Sequence, residues 1–119
     1  MREIKYRVWD TLKEQMILNA HFCFDLFAKD PIRYIFQQYI GLKDIEDKEI
    51  YEGDLILSYG RNDGKPCPVI FEDGKYQGKY TETGSKFMFP LDAGEIRLSR
   101  TKVIGNIHEN KYLMVERNA

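Results

Sequence analysis

A chain of 119 residues carrying 18 Lys and Arg against 19 Asp and Glu, net charge −1, is expected to form one domain over 1–119 with a core of its own. No apolar run approaches the ~18–20 residues of a membrane span. The N-terminus alternates charged with apolar residues where a secretory signal would be continuously apolar, so a cytoplasmic location is expected.

Ile4, Tyr6 and Val8 alternate with Lys5, Arg7 and Trp9, the period of a half-buried strand. A polar turn at 10–14 leads into 16–27, which reads as an extended return strand with Phe22 and Phe24 on one face and His21, Cys23 and Asp25 on the other. Asp30-Pro31 suits a helix start. A helical turn near 31–35 and then a strand over about 36–42 are expected. An acidic connection follows, and Glu52-Gly53-Asp54 forms a tight turn feeding a strand at 55–59. After a loop at 60–66, Val69-Ile-Phe and Lys75-Tyr-Gln-Gly-Lys-Tyr flank an Asp73-Gly74 hairpin turn. Residues 81–85 read as a loop, 86–89 as a strand, 90–100 as an irregular segment and 103–107 as a strand. A helical turn at 109–114 is expected to lay Tyr112 and Leu113 on the core. Many short strands with closely spaced turn signals predict a mainly β fold, a small SH3-like or partly open β-barrel with little helix.

Candidate chemistry is sparse. Asp44, Glu46, Asp47, Glu49, Glu52 and Asp54 surround the single base Lys48, a local charge of −5. Calcium would require further oxygen ligands at regular spacing, but Lys48 sits where the next ligand belongs and the loop glycine is missing. The pool of softer ligands, His21, Cys23, Cys67 and His108, lacks the paired spacings of a zinc site. The two cysteines read as reduced, buried thiols. Neither a nucleophile elbow nor a phosphate loop is present, and His21 and His108 are the only bases near neutral pH. Glu52 and Asp54 could serve as an acid–base pair, but turn chemistry accounts for them, with Asp54 accepting backbone N–H groups. Bases are spread evenly along the chain. A basic patch would have to be assembled in three dimensions from Arg2, Arg7, Arg33, Arg97, Arg100 and Lys102. Tyr76 and Tyr80, interleaved with Lys75 and Lys79, come closest to a stacking platform for single-stranded nucleic acid.

Three blocks carry a family resemblance. They are Met1-Arg-Glu-Ile-Lys-Tyr-Arg-Val-Trp-Asp10, the stretch from Gln38-Tyr-Ile-Gly-Leu-Lys-Asp44 through Lys48-Glu-Ile-Tyr-Glu-Gly-Asp-Leu-Ile56, and Val103-Ile-Gly-Asn-Ile-His-Glu-Asn110 with Leu113. Together they resemble the YopX family of small phage and prophage proteins. The resemblance implies a mainly β fold, an origin in a mobile element and a bacterial host; it implies no activity and no catalytic residues. Where the family usually has an Asn-Gly turn, this chain has Ile45-Glu46-Asp47. Either Asp47 takes the left-handed conformation, which Asp tolerates better than most residues, or the loop closes differently.

The expectation is therefore a non-enzymatic accessory protein that binds a protein partner of host or phage, without catalytic residues, metal or cofactor. Its candidate contact residues are Asp44, Glu46, Asp47, Glu49, Tyr76 and Tyr80. A single-stranded nucleic-acid binding barrel and a metal-dependent hydrolase centred on 44–54 are the alternatives. Pairing of edge strands between copies is left open.

Overall fold

The computed structural model describes residues 4–18 and 24–115. Among the described residues, nine strands form two sheets. Strands β1 (Tyr6–Asp10), β2 (Gln15–Ile17), β3 (Tyr34–Lys43) and β4 (Glu49–Tyr51) make the first, in the order β2-β1-β3-β4. The second contains β5 (Asp54–Leu57), β6 (Cys67–Glu72), β7 (Lys75–Glu82), β8 (Ser85–Pro90) and β9 (Lys102–Asn106), ordered β8-β7-β6-β5-β9. The fold is mainly β, with a curled, half-barrel sheet. Among the described residues, three short α-helices complete it: α1 (Phe24–Lys29), α2 (Ala93–Leu98) and α3 (Tyr112–Val115).

The chain crosses between sheets at Glu52-Gly53, and the crossing is stitched on both sides. The Glu52 N–H donates to the Gln38 carbonyl of β3, the Gly53 N–H to the Val69 carbonyl of β6, and the Ile107 N–H to the Gly53 carbonyl. Gly53 has φ +88, and a Cβ there would lie 1.9 Å from Gln37 Nε2. The positive φ calls for glycine, and any side chain there would also have to push the Gln37 amide aside.

The main core gathers Ile40, Ile50, Ile56, Cys67, Val69, Phe89, Leu91, Ile96 and Val103. Gly78 lies opposite Phe89, and its missing side chain leaves room for the Phe89 ring. A smaller cluster forms around Val8 and Tyr34.

Several expectations change. β1 is buried on both faces, since Arg7, Val8, Trp9 and Asp10 are all buried. It is an inner strand with β2 on one side and β3 on the other. Asp10 ends it in a fork with Arg33, Oδ1 to Nε at 2.9 Å and Oδ2 to Nη2 at 3.0 Å. That bond, with the Leu12 and Lys13 N–H groups, outweighs burial and holds the carboxyl at about 2.

The extended reading of 16–27 fails at its C-terminal end, where 24–29 is helical. A few alternating residues also fit a helical period, and Asp25 in the first turn with Lys29 in the last suits the helix dipole. His21, Phe22 and Cys23 lie outside the described residues. The turn at 31–33 and the strand after it are present, the strand starting at Tyr34.

The expected loop at 81–85 is instead the end of a long hairpin. Thr81 pairs with Lys86 and Glu82 with Ser85 across a two-residue turn in which Thr83 and Gly84 both have positive φ. The segment at 90–100 is not irregular. Asp92 accepts from the Glu95 N–H and starts α2, which sets Ile96 in the core. Tyr112 is 60% exposed rather than laid on the core, while Leu113 is half-buried.

Candidate functional site

A layer of buried polar side chains forms where the sheets meet. Arg7 of β1 stands directly opposite Gln37 of β3. Its Nη2 lies 2.7 Å from Asp54 Oδ1 at the start of β5, and its Nε donates to Gln37 Oε1 at 2.9 Å. Asp54 Oδ2 accepts the Tyr51 N–H at 2.7 Å, the turn chemistry expected of it. The Arg7 guanidinium also lies 4.7 Å over the Tyr51 ring.

The chain of bonds continues to the loop after β9, where Gln37 Nε2 lies 3.1 Å from His108 Nε2. Arginine has donors only, so Gln37 must turn its oxygen toward Arg7 and its amide N–H toward His108. His108 Nε2 therefore accepts, and the imidazole is neutral with its proton on Nδ1. Burial, then the charges of Arg7 and Lys111, push the His108 pKa below its ordinary value, which agrees with that assignment. The ring is held flat against Trp9 at 5.2 Å between centroids. Burial raises the Asp54 carboxyl, opposed by the Arg7 charge and the Tyr51 N–H.

Two clefts flank this layer. One, of about 590 Å³, is lined by Arg7, Lys48, Glu49, Tyr51, Asp54 and Glu109, with Val103 and Asn106 of β9 behind them. Its wall is mixed, with Met16 and Leu18 beside charged groups of which Arg7 and Asp54 pair with each other. Glu49 bonds to Lys5 and accepts from the Tyr51 hydroxyl at 3.3 Å. The other cleft, of about 480 Å³, is mostly apolar. Ile35, Phe36, Ile70, Phe71 and Ile107 surround it, and Gln37 and His108 supply its polar part.

The residues singled out from sequence fall in different places. Asp44 is buried. Its Oδ1 accepts the Glu46 and Lys48 N–H groups at 2.8 and 2.9 Å, and its Oδ2 accepts the Val103 N–H at 2.8 Å. Glu46 and Asp47 are exposed, and Asp47 has φ 66, so the loop closes through a left-handed aspartate. Among the described residues, no three His, Cys, Asp or Glu side chains converge as a metal site would require. Cys67 is buried, its sulfur 3.5 Å from the Lys65 carbonyl. Arg7 and Arg33 are committed to Asp54 and Asp10 and drop out of the supposed basic patch; Arg2 lies outside the described residues. Tyr76 and Tyr80 lean on the core, Tyr76 edge-on to Phe71 and Tyr80 stacked on Phe87 at 5.4 Å. Neither lines the two clefts. Sequence reading missed Gln37, Trp9 and the apolar cleft. The only trace was the Glu-Gly-Asp turn, which marks the crossing around which they gather.

Comparison with known proteins identifies the fold and the family. Residues 23–115 match the family described as YopX protein, and the chain belongs to it. The matched span excludes the first of the three blocks that carried the resemblance. No curated protein matches the sequence. Among the solved structures that share the fold are two crystal structures. One is protein EF1440 from Enterococcus faecalis, at TM-score 0.57 and 21% identity, covering 96% of this chain and 99% of that one. The other is protein yopX from Bacillus subtilis, at TM-score 0.56 and 18% identity, covering 92% and 96%. Among the described residues, no helix is long and apolar enough to cross a membrane.

Proposed function

We propose that this YopX-family chain is a non-enzymatic, protein-binding accessory module of a phage-type mobile element, acting in the bacterial cytoplasm. The observation that carries the reading is the apolar cleft between the sheets. Phe71 at its rim is 53% exposed and Ile35 is 37% exposed, beside a pocket large enough for a partner's apolar side chain. Its polar part adds support. His108 Nε2 and the Gln37 amide are spent on each other, which suits a rigid recognition wall better than a proton relay.

The test is capture from host lysate with the wild type, Phe71→Ser, Ile35→Ser and Leu98→Ser. Leu98 is 88% exposed and lies outside the cleft, so it serves as the control. A protein captured by wild type and Leu98→Ser but lost with both cleft variants, all four retaining the same β-sheet circular dichroism, is the expected result. Equal capture by all four would dismiss the cleft, and failure of wild type to enrich any protein would dismiss the reading.

A further inference from the structure

The outer edge of β8 is self-complementary, and we infer that it pairs antiparallel with β8 of a second copy of this chain, joining two five-stranded sheets across a two-fold axis at Phe87. This goes beyond the cleft reading and uses none of its residues. β8 is an edge strand among the described residues, with Lys86, Phe87 and Met88 all exposed. The opposite edge, at β9, is closed: Asp44 takes the Val103 N–H and Asn110 Oδ1 takes the Asn106 N–H. Among the described residues, β8 has no such cover.

The pairing with β7 sets which backbone groups face outward. The Leu91 N–H donates to the Tyr76 carbonyl. Antiparallel bonding alternates, so residues 89, 87 and 85 also turn their N–H and C=O groups toward β7, and 86, 88 and 90 turn theirs away. Pro90 has no N–H, and the turn at Thr83-Gly84 closes the other end. Two full donor–acceptor sets remain, on Lys86 and Met88.

A second β8 fits these sets in one register. With Phe87 opposite Phe87 of the partner subunit, each Lys86 faces the other copy's Met88 and all four outward N–H groups find carbonyls. Shifting one step toward the turn puts lysine opposite lysine, which like-charge repulsion disfavours. Shifting one step the other way sets each Lys86 against Pro90, whose missing N–H leaves the Lys86 carbonyl unpaired, and trades the exposed Phe87 pair for Phe87 opposite the buried Phe89. In the favoured register the two Phe87 rings meet as a non-hydrogen-bonded pair, where side chains approach closest. Tyr80, already stacked on Phe87 at 5.4 Å, extends the aromatic row inward on each side. The contact is isologous and closes on itself, giving a dimer rather than a filament.

The test combines sedimentation velocity over a concentration series with oxidative crosslinking. Wild type is expected to pass from monomer to dimer as concentration rises. Met88→Pro removes only an outward N–H, so its circular dichroism should persist while dimerisation weakens by about thirtyfold, two bonds per dimer. Phe87→Cys should crosslink readily under mild oxidation, because opposed non-hydrogen-bonded positions bring Cα atoms within disulfide range. Lys86→Cys should not crosslink to itself. A wild type that stays monomeric throughout, a folded Met88→Pro that dimerises undiminished, or crosslinking of Lys86→Cys as efficient as that of Phe87→Cys would each overturn the inference.

Discussion

Asp44 and His108 show how a side chain's role depends on what reaches it. In sequence Asp44 is one of six acids around a single lysine, and it reads as a surface charge. In the fold its two oxygens take three backbone N–H groups, two within its own loop and one from β9. Asp44→Ala leaves those donors without an acceptor. It should cost about 3 kcal/mol in urea denaturation, with a smaller loss for Asp44→Asn, whose one oxygen retains part of the set. His108 is held neutral by its acceptor role toward Gln37. Its folded pKa lies below the ordinary 6.5, so the unfolded chain binds the proton more readily in the window beneath 6.5. Stability should therefore fall on acidification through that window, and His108→Gln should flatten this part of the profile in urea melts between pH 5 and 8. A variant profile parallel to wild type would contradict the neutral assignment. The presence of a histidine was legible in the sequence; its protonation state follows from Gln37, far away in the chain.

At the scale of elements, the strands at β3, β6, β7 and β9 were legible because alternation and turn residues agree locally. The Asp73-Gly74 turn formed as expected for a two-residue hairpin, with positive φ at both positions. The Thr83-Gly84 turn is built the same way, but its polar flanks Thr81, Glu82 and Ser85 resemble a loop. They lie where β7 and β8 extend beyond their pairing with β6, so no buried face imposes alternation on them. α1 and α2 were missed because six residues give too few turns to separate a helical period from alternation. The β4–β5 crossing is the element most sensitive to a single atom. Gly53→Ala combines backbone strain at positive φ with a collision against Gln37, and should destabilise by about 2–4 kcal/mol in chemical denaturation. Pairing it with a shorter residue at Gln37 should recover the steric part alone.

Across the whole molecule, the buried Arg7–Asp54 pair joins the sheets, and its value is asymmetric. Arg7→Ala strands a desolvated carboxylate and should cost about 3–5 kcal/mol, whereas a double replacement by apolar residues of similar volume should cost less, its remaining loss coming from the Tyr51 N–H and the Gln37 oxygen left unpaired. A double-mutant cycle read by urea denaturation measures the difference. A single Arg7→Ala as mild as the double replacement would show that the pair is not desolvated. The sequence by itself determined the mainly β class, the position of most strands, the acidic loop and the family resemblance, because these depend on periodicity, turn chemistry and short motifs among neighbours in the chain. Only the tertiary structure decided which charges are buried, that Arg7, Gln37, Asp54 and His108 form one layer, and that, among the described residues, an apolar cleft and an uncovered β8 edge remain. Those outcomes depend on which strands pair and how two sheets meet, and contacts between residues distant in sequence leave no periodic trace along it.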